Sequence, residues 1–399
     1  MGTNLEGLIF VLPNSKQMNP LSQRVINMSE SATLAMAQKA RDFKARGIDV
    51  ISLSLGEPDF KTPKHIQEAA KEAIDSGKYF AYPPVAGYMD FREAIAKKFK
   101  DENNIDCAAA NIVVSTGAKQ SIANIMMSML DPGDEVIVLS PYWVSYADVI
   151  KVAEGTPVYV QGDIDNNFKA TAVQIEAAIT EKTKMMIYSS PCNPSGEVFT
   201  KAEMDPIVKV MERYPNIYIV SDEIYEHINY TGEHISIGSY PTVADRVITV
   251  NGVAKAFAMT GWRIGYICAP LEIAKACTKI QGQFTSAASG ISQRAALAAI
   301  TTDLAPTRAM AAEYLERRQM VYDMLNEIPG FRTVMPSGAF YFLPQVSYYF
   351  GKSDGERTIN NASDFCIYLL EEANVSLVTG EAFGVPDCVR LSYAASRED

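Results

Sequence analysis

Histidine and tryptophan are scarce: the chain has three histidines and two tryptophans in 399 residues. With so few histidines no Ser-His-Asp set stands out, and no metal-ligand set is apparent. The six cysteines, at 107, 192, 268, 277, 366 and 388, contain no CxxC pair, which removes the usual zinc and redox spacings. Scattered thiols without a secretory signal fit a reducing cytoplasm. Positive charge is also in deficit, with 36 Lys and Arg against 47 Asp and Glu and a net charge of −11. An acidic chain repels a phosphate backbone and an anionic bilayer, which argues against nucleic-acid binding as the main function and against a basic membrane-surface role. Long hydrophobic runs are missing. The run Leu8 to Leu12 has no basic flank and is too short to span a bilayer. There is no internal repeat and no low-complexity tract.

What is present is a globular composition, 48% hydrophobic and 21% charged, which excludes intrinsic disorder and fibrous architectures. The length predicts two or three domains. Short β-branched runs alternate with helical patterns through the middle of the chain: strands at Asn111–Thr116, Glu135–Leu139, Lys184–Ser189, Ile217–Ser221, Arg246–Val250 and Arg263–Cys268, with helical stretches such as Gln120–Leu130 between several of them. Repeated strand–helix–strand units predict an α/β fold with a doubly wound, mostly parallel sheet. The flanks differ. Helices are expected at Ser31–Arg46, Ala305–Glu327 and Ala362–Ala373, and strand-like pieces at Phe331–Val334, Ala339–Phe342 and Val389–Tyr393. This pattern suggests a smaller α+β domain made from both chain ends.

In doubly wound sheets ligands bind beyond the carboxyl ends of the strands. The polar residues expected there are Gly117-Ala118-Lys119, Ser190-Pro191-Cys192-Asn193-Pro194, Asp222-Glu223-Ile224-Tyr225 and Ala254-Lys255, with Arg263 a few residues on. They bring a carboxylate, a lysine, a tyrosine, an asparagine and an arginine near a glycine turn.

The segment Asn251-Gly252-Val253-Ala254-Lys255-Ala256-Phe257-Ala258-Met259-Thr260-Gly261-Trp262-Arg263-Ile264-Gly265-Tyr266 strongly resembles the cofactor-lysine segment of class I aminotransferases, pyridoxal 5'-phosphate enzymes of fold type I. Ser221-Asp222-Glu223-Ile224-Tyr225 resembles their pyridine-binding segment, and Pro191-Cys192-Asn193-Pro194-Ser195-Gly196 their Asn-Pro-(Thr/Ser)-Gly loop. The resemblance runs from about Leu21 to Ser396 and is greatest to the bacterial aspartate aminotransferases of subgroup Ib. It implies a large cofactor-binding domain over 60–300, a small domain from 18–59 and 301–399, and an extension at 1–17. It also implies that the chain stops short of a final family helix.

Each motif residue then acquires an implied role. Lys255 is the amine that condenses with the cofactor aldehyde and later carries a proton. Asp222 faces the pyridine nitrogen and favours its protonated form, although an Asp after a strand also serves as a helix cap. Tyr225 and Asn193 donate to the phenolic oxygen; Asn193 before Pro194 is equally a turn residue. Gly117, Ala118 and Lys119 open a helix whose N-terminus cradles the phosphate, and Arg263 pairs with it. Many relatives have serine before the lysine where this chain has Ala254, so one phosphate hydrogen bond is missing, worth about 1 kcal/mol or more. Trp143 stacks on the pyridine or, alternatively, fills the core. Tyr82, in Ala81-Tyr82-Pro83-Pro84, matches the tyrosine that reaches the phosphate of a neighbouring subunit, which implies a homodimer with shared active sites. Arg390 would grip the substrate α-carboxylate and Gly56 would add a backbone contact. Lys119, Ser31 and Thr33 resemble the contacts to a distal carboxylate; Ser31 and Thr33 also suit plain helix capping.

The expected activity is transamination between aspartate or glutamate and 2-oxo acids by a ping-pong cycle. The alternatives are the same chemistry on prephenate, aromatic amino acids, alanine or kynurenine, or cleavage of a carbon–sulfur bond. A transcription regulator built on this fold carries a helix-turn-helix module first, and the stretch before Gly56 leaves no room for one.

Overall fold

The computed structural model describes residues 20–29 and 31–397, so the expected 1–17 extension with its Leu8–Leu12 run lies outside the described residues. A seven-stranded sheet forms the centre. Its strands, in chain order, are β1 (Ile112–Ser115), β2 (Glu135–Ser140), β3 (Thr156–Gln161), β4 (Thr183–Ser189), β5 (Tyr218–Asp222), β6 (Val247–Gly252) and β7 (Gly265–Cys268). They lie in the order β1-β7-β6-β5-β4-β2-β3. Pairing is parallel from β3 through β2, β4 and β5 to β6, and antiparallel where β7 meets β6 and β1. The expected α/β architecture with a mostly parallel sheet is present.

Alternation along each strand explains the layers. Val136, Val138, Met185, Ile187, Val220 and Val250 pack on one face against Ile122, Ile125, Tyr146, Ile150 and Cys277 from three helices. Their neighbours Ile137, Leu139, Met186, Tyr188, Ile219 and Val247 pack on the other face against Met204, Ile207, Val208 and Met211. Period-two side chains that are apolar on both faces require cover on both faces. Each fully buried aliphatic side chain contributes about 1.5–3 kcal/mol.

Smaller sheets draw on both chain ends. Ile51–Ser52 pairs in parallel with Val375–Ser376, and Val389–Ser392 lies antiparallel between Val378–Thr379 and Tyr341–Phe342. Helices Ala32–Ala45 and Ala362–Glu372 cover them through Met36, Ala40, Phe365, Cys366 and Leu370.

Two expected strands are corrected. The strand placed at Arg263–Cys268 starts at Gly265, because Thr260–Trp262 winds into a 3-10 turn and Arg263 sits at φ 54°. No strand forms at Phe331–Val334; Arg332 makes one isolated bridge to Gln345. Among the described residues, no helix is long and apolar enough to cross a membrane.

Candidate active site

The parallel strands end together, at Ser115, Ser189, Asp222 and Gly252, and the residues that follow line one cavity of about 250 Å³. Its walls include Ala118, Lys119, Trp143, Asn193, Asp222, Tyr225, Lys255 and Arg263, all expected from sequence, together with Tyr146, Ser189, Ile224, Ala254 and Thr260.

Gly117 turns the chain from β1 into helix Ala118–Met129 at φ 84°, and a side chain there would collide with the Arg263 guanidinium. Glycine thus lets a cation lie against a helix N-terminus, where the first-turn N–H groups lack intrahelical acceptors. Arg263 is held in place by donating through Nη1 to the Thr260 carbonyl at 2.9 Å. Together they make an anion cradle.

Asp222 ends β5 and is buried. The Tyr146 hydroxyl donates to its Oδ2 at 2.7 Å, and the Ile224 N–H donates to Oδ1 at 3.3 Å. No helix follows Asp222, so it is not a helix cap; its bond from the Ile224 N–H closes a local turn. Burial nevertheless pushes its carboxyl up to about 6. Lys255 follows β6; its Nζ donates to the Gly56 carbonyl at 2.6 Å. Burial, with Arg390 and Arg263 nearby, pulls the amine down to about 8. At pH 7 roughly a tenth of such an amine is uncharged and nucleophilic.

Asn193 and Arg390 meet: Arg390 Nη1 donates to Asn193 Oδ1 at 2.9 Å, and its Nη2 to the Ser54 carbonyl at 2.6 Å. The guanidinium is buried over the rings of Tyr341 and Phe383, and its Nε has no protein partner. Arg390 therefore reaches the cavity by way of Asn193. The Tyr225 hydroxyl lies 2.7 Å from that of Tyr341. A side chain at Gly56 would strike the Tyr341 hydroxyl, so glycine is required for this approach.

Lys119 places its Nζ 5.1 Å from the Trp143 ring, and burial lowers its pKa. A second hollow of about 590 Å³ adjoins the cavity and shares Lys119 and Arg263 with it; Ser31 lines its rim. Ser31 is the N-cap of Ala32–Ala45 but makes no side-chain cap bond, and Thr33 Oγ1 is buried without a protein partner. Tyr82 stands away from the cavity at 93% exposure.

The profile of the family described as aminotransferase class I and II matches residues 48–399. The chain belongs to this family. Among similar proteins is a Petunia hybrida "bifunctional aspartate aminotransferase and glutamate/aspartate-prephenate aminotransferase", 44% identical over 94% of this chain and 79% of the relative. Similar solved structures are the aspartate aminotransferase of Rhizobium meliloti, with TM-score 0.91, 40% identity and 96% of each chain covered, and that of Thermus thermophilus with maleate, with TM-score 0.88, 41% identity and 96% and 97% covered.

As a member of this aminotransferase family, the protein is a pyridoxal-phosphate-dependent enzyme, and the cavity fits that cofactor on its own chemistry. It offers a partly neutral amine for the aldehyde, a buried carboxyl for the ring nitrogen, an aromatic wall at Trp143 and an anion cradle for the phosphate.

Sequence reading missed several residues. Tyr146 lies one helical step after Trp143, and its ring meets Trp143 edge-on at 5.6 Å; this i, i+3 aromatic pair was the available signal. Tyr341 had none. Behind Asp222, on the far side of the loop, a buried polar network was also unforeseen. Glu223 accepts from Ser221, Ser236 and Asn103 and lies 2.9 Å from His234 Nε2. Glu226 accepts from Lys98 and Asn103. Carboxylates and histidines close enough to share an ion do gather here, but the Lys98 ammonium already supplies the positive charge they face.

Proposed function

We propose that the protein is a cytoplasmic homodimer that transaminates aspartate or glutamate with 2-oxo acids. The observation that carries this reading is the Lys255 amine and the Asp222 carboxyl facing one cavity, beside an Asn193 held by Arg390. Pyridoxal phosphate, when bound, supplies an aldehyde for that amine and a ring that takes up the electron pair left as the substrate loses its α-proton.

The chain's residues divide the remaining work. Lys255 Nζ is the amine that would hold the cofactor aldehyde and, once freed by the substrate amine, would carry the proton taken from the substrate α-carbon. Asp222 holds the ring nitrogen protonated, with Tyr146 fixing its orientation. Asn193 has its carbonyl oxygen engaged by Arg390, which leaves its amide N–H groups to donate to the phenolic oxygen, as Tyr225 does. Gly117, Ala118, Lys119 and Arg263 hold the phosphate. Arg390 takes the α-carboxylate, a fork-shaped cation suited to a flat anion, with Gly56 beside it.

For the distal carboxylate the reading uses Lys119, Ser31 and Thr33. Ser31, which makes no side-chain cap bond and lines the same hollow as Lys119, supports it, as does the buried Thr33 hydroxyl without a protein partner. The maleate of the Thermus structure is likewise a dicarboxylate. The homodimer is supported by the match of Tyr82 to the family tyrosine that reaches a neighbouring subunit and by the exposure of both Phe80 and Tyr82 on one loop. The cytoplasm is supported by six free thiols. Of the described residues, 20–29, 31–59 and 301–397 make up the small domain and 60–300 the large one. A second substrate, prephenate, is favoured by the adjoining hollow beyond Lys119 and Arg263 and by the Petunia relative's name.

Stopped-flow half-reactions test this reading through the cofactor absorbance. Aspartate and glutamate are expected to convert the cofactor, prephenate's amino counterpart more slowly, and tyrosine least. Failure of both acidic amino acids overturns the acidic-substrate reading.

A further inference from the structure

The loop between helices Lys64–Asp75 and Met89–Asn103 carries Tyr82 at a tip that stands off the molecule, with Phe80 68% exposed and Tyr82 93%. Its returning leg is firmly tied. The Val85 carbonyl accepts from Gln281 Nε2 at 2.7 Å, the Ala86 carbonyl from the Val114 N–H at 3.0 Å, and the Tyr88 N–H donates to Gln293 Oε1 at 3.0 Å. The outgoing leg meets the returning one where the Tyr79 ring packs edge-on to Tyr88 at 5.5 Å.

Arg294, on helix Gly290–Thr301, touches both legs. Its guanidinium lies 5.0 Å from the Tyr79 ring centre and 4.7 Å from that of Tyr88. The same group donates from Nη1 and Nη2 to the two carboxylate oxygens of Asp90, at 2.5 and 2.9 Å, in the first turn of the helix after the loop. The arginine side chain is 10% exposed while Asp90 remains open to solvent. A planar fork that stacks on two rings and binds one carboxylate through both arms is a task lysine cannot duplicate.

We propose that Arg294 is a positioning residue for the active site of the other subunit. It closes the base of the loop so that Tyr82 is presented at a fixed height and angle to the second copy's phosphate cradle. This inference rests on the reading that Tyr82 reaches that cradle. Arg294 itself touches neither cofactor nor substrate, so its effect passes across the dimer and leaves its own subunit's site intact.

Mixed dimers separate the two effects. One chain carries Lys255→Ala, so that the single covalent site belongs to its wild-type partner, and cofactor affinity at that site is read from absorbance. Arg294→Met on the Lys255→Ala chain is expected to weaken the partner's site about tenfold or more, the loss of one hydrogen bond to a charged group. Arg294→Met on the wild-type chain is expected to leave that chain's own site unchanged. Arg294→Lys, which keeps the charge but not the fork, is expected to fall between, and it serves if the methionine variant does not fold. Tyr82→Phe on the Lys255→Ala chain is the reference. If Tyr82→Phe weakens the partner's site and neither Arg294 variant does, the positioning role is overturned while the Tyr82 reading stands. If Tyr82→Phe has no effect across the dimer, the reading and the inference fall together. A loss confined to the substituted chain's own site makes Arg294 merely structural and also overturns the proposal.

Discussion

Burial pushes the Asp222 carboxyl up to about 6 although Tyr146 and the Ile224 N–H both donate to it. A carboxyl whose folded value lies above its unfolded 3.8 keeps a proton in the folded state that the unfolded chain has released. Its contribution therefore becomes less favourable as pH rises from 3.8 to about 6, and the full penalty is present at neutral pH. In the cofactor-free protein, Asp222→Asn is expected to raise stability by roughly 3 kcal/mol at pH 7 and by much less near pH 4, while removing most activity from the loaded enzyme. Urea denaturation at the two pH values checks this, and equal stability of variant and parent at pH 7 contradicts it. The functional residue thus opposes folding until a protonated ring nitrogen faces it. Its role was legible in sequence only through the resemblance of Ser221-Asp222-Glu223-Ile224-Tyr225 to the family's pyridine-binding segment. Tyr146 was not, because the hydrogen bond that makes it functional joins residues 76 positions apart.

At the scale of elements, the loop that leaves β5 is braced from behind by Glu223 and Glu226 with Lys98, Asn103, His234 and Ser236. Burial disfavours the charge on Glu226, but Lys98, His227 and His234 outweigh it and hold the carboxyl below its ordinary 4.5. Burial likewise works against His234, yet the Glu223 charge lifts it above 6.5. The signs differ. Glu226 stabilises the fold above 4.5 and loses that contribution as pH falls through its depressed value. His234 stabilises it below 6.5 and loses that contribution as pH rises through its elevated value. Lys98→Met leaves a buried carboxylate uncompensated and is expected to cost about 3–5 kcal/mol. His234→Asn is expected to flatten the stability decline on the alkaline side of 6.5; chemical denaturation across pH measures both, and an unchanged alkaline slope contradicts the His234 assignment. Most central elements were legible because β-branched runs and 3.6-period helices alternate. The strand near Phe331 was not formed, since it found one bridge at Arg332 in place of a ladder. The antiparallel direction of β7 left no mark in a pattern that reads the same both ways.

At the scale of the whole molecule, the site is assembled from distant chain. Lys255 meets Gly56 across 199 positions, and Arg390 meets Asn193 across 197 and Ser54 across 336. Motif order announced the participants, and only the fold shows that Arg390 and Asn193 are one hydrogen-bonded unit. The substrate end was least legible: Ser31 and Thr33 read equally as capping residues, and Ser31 caps its helix without a side-chain bond. One of these contacts holds the amine of the cavity, Lys255 Nζ. The account therefore rests most directly on where the cofactor is attached. Borohydride reduction of the loaded enzyme, followed by peptide mass mapping, fixes the cofactor on the lysine that held it. The account predicts a single modified peptide bearing the label at Lys255, absent from Lys255→Ala. A label on another lysine of the cavity, Lys119 above all, or an unchanged label in the Lys255→Ala variant, contradicts it.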